Sequence, residues 1–244
     1  MKNLLFEISY NGAMYHGYQV QTNALTITEV VQNAVEKVTK HRDGIVGCSR
    51  TDSGVHANSY YFNMKTQTQI PVEKLVYLLN NALPNDIIIL NCKEVSLDFH
   101  ARYDCKSKEY LYKIYNAKKR NPFLSQLALQ YQKPIDVEML NIAAQDLVGT
   151  HDFKSFSSTS KKEKKTIRTV QSISVFRQDD MVFFKIKGDG FLYNMVRIIV
   201  GTLLYMNESK IPINAFPQIL EQKDRTKAGK TAPACGLYLN SLEY

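Results

Sequence analysis

Between Leu4 and Leu90 the apolar residues switch repeatedly between a period of two and a period near 3.6, and the order of those switches restricts the chain to few folds. Leu4 to Tyr10 reads as a strand that stops at the turn-forming pair Asn11-Gly12. Ile27, Val30, Val31, Ala34, Val35 and Val38 share one helical face. Ile45 to Cys48 and Tyr60 to Met64 follow as strands, and Pro71 is placed to open a second helix with Leu75, Leu78 and Leu79 inward. Ile87 to Leu90 is a short, fully apolar strand. The order is β-α-β-β-α-β, the split ferredoxin-like arrangement.

The second half repeats the pattern. Glu109 to Tyr115 alternates as a strand and Val137 to Leu147 is helical. Thr169 to Phe176 and Val182 to Ile186 form a hairpin around Gln178-Asp179-Asp180, Phe191 to Tyr205 is a helix, and Leu237 to Leu242 is the closing strand. An additional helix near Ile213 to Leu220 breaks the symmetry. The expected fold is therefore α+β: two ferredoxin-like halves, mainly antiparallel sheet, and a central catalytic cleft, since clefts between domains are favoured ligand sites. Residues 1–103 are expected to form an N-terminal domain and residues 104–244 a C-terminal one.

Composition narrows the partners. Lys and Arg outnumber Asp and Glu by 31 to 23, a net charge of +8, which suggests a polyanionic partner, nucleic acid first and a membrane surface second. Cys48, Cys92, Cys105 and Cys235 are far apart and form no CxxC pair, against a zinc site or a disulfide scaffold. Phe191 to Met206 is too short for a membrane span and carries Asn194 and Arg197 near its middle, so a buried helix is expected. Met1-Lys2-Asn3 leads directly into a strand-like run, and a cytoplasmic location is expected. Ser157 to Thr166, with Lys161-Lys162-Glu163-Lys164-Lys165, reads as a solvated loop or a phosphate-grasping arm.

The chemistry concentrates in Gly47-Cys48-Ser49-Arg50-Thr51-Asp52-Ser53-Gly54-Val55-His56-Ala57, a Gly-, Ser- and Thr-rich turn holding one acid two residues from one base. An Asp in such a turn is most often a turn-former. Asp52 stands out through its company: Arg50, His56 and Arg102 come from segments able to line the same cleft. No second acid lies near it in sequence, which argues against a magnesium site and for a lone nucleophile. A glycoside hydrolase would need a second carboxylate about 5 to 10 Å away, and no neighbour nominates itself. Arg197 is the only charged side chain between Asp189 and Glu208. A guanidinium there either snorkels out or meets a carboxylate, and Asp52 is the inferred partner. Tyr110 and Tyr112 share one face of a strand; Tyr112 is expected in the core and Tyr110 as a platform for an unpaired base. Tyr15 and Tyr18 form a further polar-aromatic loop around His16 and Gly17.

Several motifs together resemble one family. Tyr15-His16-Gly17-Tyr18-Gln19, Arg50-Thr51-Asp52-Ser53-Gly54-Val55-His56-Ala57 and Phe99-His100-Ala101-Arg102 come in order. Lys108-Glu109-Tyr110-Leu111-Tyr112, Gly149-Thr150-His151-Asp152-Phe153 and Phe191-Leu192-Tyr193-Asn194-Met195-Val196-Arg197 follow. Thr231-Ala232-Pro233-Ala234-Cys235-Gly236-Leu237-Tyr238-Leu239 ends the series. Over essentially its whole length the chain resembles the bacterial tRNA pseudouridine synthase A family. The resemblance implies a homodimer that isomerises uridines at positions 38 to 40 of the tRNA anticodon stem-loop, without cofactor or metal. It implies Asp52 as nucleophile, Arg50 as the base-displacing residue, Arg197 as the partner of Asp52, and Tyr110 as the ring stacked on the target uracil. Tyr15, His56 and Arg102 complete the expected substrate contacts. Ser49 and Ser53 depart from the family's usual Gly and Ala, and Tyr18 from its usual Trp. A catalytically silent tRNA-binding or RNA-folding protein on the same scaffold is the alternative.

Overall fold

The computed structural model describes residues 1–158 and 165–244. Its elements run β1 (Lys2–Tyr10), α1 (Ile27–Thr39), β2 (Ile45–Gly47), β3 (His56–Thr66), α2 (Val72–Ala82) and β4 (Ile87–Val95). They continue through β5 (Ser107–Tyr115), β6 (Leu129–Gln130), α3 (Val137–Ala144), β7 (Gly149–Asp152), β8 (Ile167–Gln178) and β9 (Met181–Gly188). The chain closes with α4 (Met195–Asn207), α5 (Phe216–Gln222) and β10 (Leu237–Glu243). It divides into two compact units, residues 1–106 with 238–244 and residues 107–237. Residues 159–164 of the Ser157 to Thr166 loop, with Lys161, Lys162 and Lys164, lie outside the described residues.

In the first unit β1 sits between β3 and β4, antiparallel to both, and β2 runs antiparallel along the far side of β3. That is the strand order of a ferredoxin-like half. β10 joins this unit alongside the start of β3, parallel, with Tyr238 opposite His56 and Leu239 opposite Ala57. The closing strand expected in the second half thus groups with the first. Register sets the core: Phe6 faces Phe62 across the ladder and their rings stack at 4.8 Å. α1 starts from Thr26, whose hydroxyl caps the Glu29 N–H, and buries Ile27, Val31, Ala34 and Val35. Pro71 stands at the cap of α2, one residue ahead of its expected helical position. β4 is longer than expected and only half buried: Ile87 and Ile89 face inward, whereas Ile88 and Leu90 are 48% and 49% exposed. The apolar run concealed a one-sided strand.

In the second unit β5, β9, β8 and β7 pair antiparallel in that order, with β6 parallel to the end of β5. The hairpin between β8 and β9 turns at Asp179, which takes φ +51°. α4 begins at Met195, four residues later than its hydrophobic run suggests. Asn194 adopts φ +63°, a left-handed conformation that helices do not propagate through. α4 buries Met195 to Leu204 apart from Arg197, as a core helix should. Among the described residues no helix is long and apolar enough to cross a membrane.

Candidate active site

The Asp52 loop is zipped to the loop that follows β1. Tyr18 donates its N–H to the Thr51 carbonyl at 3.2 Å, and Gly54 donates to the Tyr15 carbonyl at 3.1 Å. The Ser53 hydroxyl reaches the same Tyr15 oxygen at 3.4 Å. Thr51 is buried, with its hydroxyl 2.9 Å from the Tyr10 phenol oxygen. Asp52 itself is half-buried at the head of a tight turn, its carbonyl accepting the Val55 N–H at 3.2 Å. Gly17 makes this docking possible. It has φ +88°, and a β-carbon there would come within 2.5 Å of the Thr51 oxygen and 3.2 Å of the Asp52 carbonyl carbon.

Aromatic residues clamp the loop from beneath. The Tyr60 hydroxyl donates to the Ser49 carbonyl and accepts the Ser49 N–H at 3.3 Å, fixing the chain just before Arg50. Tyr18 stacks on Tyr60 at 4.1 Å. Burial pushes the phenols of Tyr18 and Tyr60 well up, and burial with the neighbouring Asp86 carboxylate does the same for Tyr15, whose hydroxyl donates to Asp86 at 2.7 Å. All three stay protonated at neutral pH; Tyr15 and Tyr60 brace through their hydroxyls and Tyr18 through its stacked ring. Nothing in the sequence singled out Tyr60, because its partner lies across a strand pairing rather than beside it in the chain.

The other expected site residues fall into distinct settings. His56 is fully buried, stacked on Tyr238 at 4.6 Å, with Nδ1 accepting the Gly12 N–H at 3.1 Å. That bond fixes the proton of a neutral ring on Nε2. Arg50 and Arg102 are both exposed and line one groove of about 410 Å³ beside the loop, with Tyr18 in its wall. Arg50, Asp52, Tyr15, His56 and Arg102 all belong to the first unit, and of these Arg50 and Arg102 share a groove.

Tyr110 and Arg197 belong to the second unit. Tyr110 lies on β5 opposite Ile186, 7% exposed, edge-on to Phe191 at 5.1 Å. Tyr112 is in the core as expected, its hydroxyl donating to the Pro233 carbonyl at 2.7 Å. Arg197 is half-buried in the first turn of α4. Its Nε donates to the Ala232 carbonyl at 2.7 Å and its Nη1 to Asn194 Oδ1 at 2.7 Å, while Ala232 N–H returns a bond to the Arg197 carbonyl at 3.0 Å.

Among the described residues no group of three or more His, Cys, Asp and Glu side chains could hold a metal ion. The first unit thus offers one carboxylate on a braced turn beside exposed guanidinium groups. Such an arrangement suits nucleophilic attack on a polyanionic substrate.

Comparison with known proteins identifies the family. A family model described as tRNA pseudouridine synthase matches residues 8–104 and 143–244. A tRNA pseudouridine synthase A of Thermoanaerobacter sp. strain X514 is 46% identical over 244 residues, covering all of both chains. Proteins of the same name from Clostridium acetobutylicum and Acetivibrio thermocellus are 46% and 43% identical, again over the whole of both chains.

Proposed function

Because this chain belongs to the tRNA pseudouridine synthase A family, and is therefore an enzyme that isomerises uridine in tRNA, we propose that it acts at positions 38 to 40 of the anticodon stem-loop with Asp52 as nucleophile. The observation that carries the assignment of Asp52 is its loop: a half-buried carboxylate held by paired backbone bonds from Tyr15 and Tyr18, two residues from an exposed Arg50. Membership of an enzyme family sets the silent RNA-binding alternative aside.

The reaction needs the target nucleotide out of its stack, since the glycosidic bond is hidden there, and extrusion costs a few kcal/mol. Arg50 takes the vacated space and contacts phosphate, while Tyr110 stacks on the uracil. Asp52 begins cleavage of the N1–C1′ bond by attack at C6, by attack at C1′, or as the base of a glycal route. The freed uracil turns and forms the C5–C1′ bond; any bond from Asp52 to C6 or C1′ breaks to return the carboxylate, the C5 hydrogen leaves as a proton and N1 gains one. Atoms balance without an oxidant or a cofactor. Arg197 stabilises the Asp52 carboxylate in this reading, a charge pairing that keeps an acid ionised at neutral pH. His56 and Tyr15, both buried and bonded to their own unit, serve as positioning residues, and Arg102 as a phosphate contact. The family reading extends to a homodimer working in the cytoplasm.

Tritium release from tRNA carrying 5-³H-uridine tests the assignment. Wild type should release label, and Asp52→Asn should release none while binding tRNA within a few-fold of wild type. Pseudouridine formed by Asp52→Asn at the wild-type rate would remove Asp52 from the mechanism.

A further inference from the structure

The turn from Phe99 to Asp104 is held more firmly than a surface turn requires. From below, a buried amide pair anchors it. Asn3 Nδ2 donates to the carbonyls of Ser96 and Phe99 at 2.8 and 3.0 Å, and Asn63 Nδ2 donates to Asn3 Oδ1 at 2.9 Å. Asn63 Oδ1 then accepts the Ala101 N–H at 2.9 Å, and the Tyr244 hydroxyl donates to the Ala101 carbonyl at 2.9 Å. Within the turn, Asp104 Oδ2 accepts the His100 N–H at 2.8 Å. His100 Nδ1 accepts the N–H groups of both Arg102 and Tyr103, at 3.2 and 3.3 Å. Buried polar networks that are fully bonded give rigidity, and this one rigidifies a turn with no hydrophobic core of its own.

What the turn displays is a ring. Tyr103 stacks on His100 at 4.1 Å with 29° between the planes, yet remains 77% exposed. One face is backed by imidazole and the other is open. The same groove that Tyr103 lines is lined by Arg50 and Arg102, with Gln19, Gln32 and Ser49 supplying polar edges. No carboxylate lines it among the described residues. Two guanidinium groups without a compensating acid favour an anion, and a pre-held aromatic face favours a flat one.

We infer that this groove is a second nucleotide subsite, taking an unpaired ribonucleotide of the RNA that neighbours the target uridine. Its base stacks on the open face of Tyr103, and its phosphate lies between Arg102 and Arg50. The inference rests on the tRNA reading above and adds a station to it that does not touch the reacting uracil. His100 is a positioning residue here: it backs the Tyr103 ring and accepts the two N–H groups that shape the turn. Single-strand recognition by stacking is sequence-tolerant, so the subsite contributes grip more than base choice.

The test is steady-state pseudouridylation of tRNA by the full-length enzyme, with Tyr103→Ala, Tyr103→Phe and Arg102→Gln beside wild type. Removing one stacked base contact should raise KM about tenfold and leave kcat within about twofold, and Tyr103→Phe should restore wild-type KM. Because Tyr103 is exposed, thermal melts of the variants should match wild type. Arg102→Gln should lower the slope of log K against log salt by about one, and Tyr103→Ala should leave that slope unchanged. An unchanged KM in Tyr103→Ala, or a lowered kcat at unchanged KM, overturns the subsite. Inactivity of wild type on tRNA would instead defeat the reading it rests on.

Discussion

At the scale of single residues the site depends on how closely two loops approach. Gly17 is where they touch, and its left-handed φ and the contact with Thr51 both exclude a side chain. Gly17→Ala should cost about 1–3 kcal/mol of stability and reduce tRNA turnover more than tenfold, because the strain is relieved only by moving the Asp52 turn. Gly44→Ala is the control, since a β-carbon there meets nothing within 4 Å, and it should leave both melting and turnover unchanged. Wild-type turnover by Gly17→Ala would show that the close approach is dispensable. The acid and the base proposed for this site were legible in the chain because they sit in one turn, Arg50-Thr51-Asp52. The braces were not: Tyr60 meets Ser49 only through the pairing of β2 with β3, and no local pattern reports a cross-strand hydroxyl.

At the scale of elements, α4 owes its position to the segment that crosses it. A β-carbon on Gly201 would overlap the Lys230 carbonyl oxygen, so the 229–232 segment lies directly on the helix backbone. Gly229 N–H donates to the Thr202 hydroxyl at 2.9 Å, and Ala232 exchanges two bonds with Arg197. Gly201→Ala should therefore destabilise by more than about 3 kcal/mol, a melting shift on the order of 10 °C, with Arg197 losing its carbonyl acceptor as the segment lifts. A thermal melt within a degree or so of wild type would refute this packing. Hydrophobic periodicity placed this helix correctly in kind but four residues early at its start, because Phe191 and Leu192 are apolar without being helical. The break at Asn194 is a backbone conformation, and apolar patterning does not register one. The same blindness hid that β4 buries only one face of its apolar run.

At the scale of the molecule, the net charge of +8 governs how the enzyme meets a polyanion. Binding of tRNA, followed by filter retention from about 50 to 200 mM salt, should fall by at least two orders of magnitude, the behaviour of several phosphate contacts acting together. A flat titration would mean that the basic excess does not face the RNA. The sequence alone determined the identity of the chemistry, the alternation of strands and helices, and the membership of a family. Each of these is written in contiguous residues or in local periodicity, and local patterns survive without knowledge of what packs against what. Tertiary structure decided the rest. It made one groove from Arg50 and Arg102, residues 52 positions apart in the chain. It turned Asn3 and Asn63 into the buried anchor of a third segment near Ala101, and sent the final strand back beside β3. Those outcomes depend on the relative placement of distant segments, which is fixed by cross-strand register and by the satisfaction of buried polar groups, and both exist only once the chain has folded.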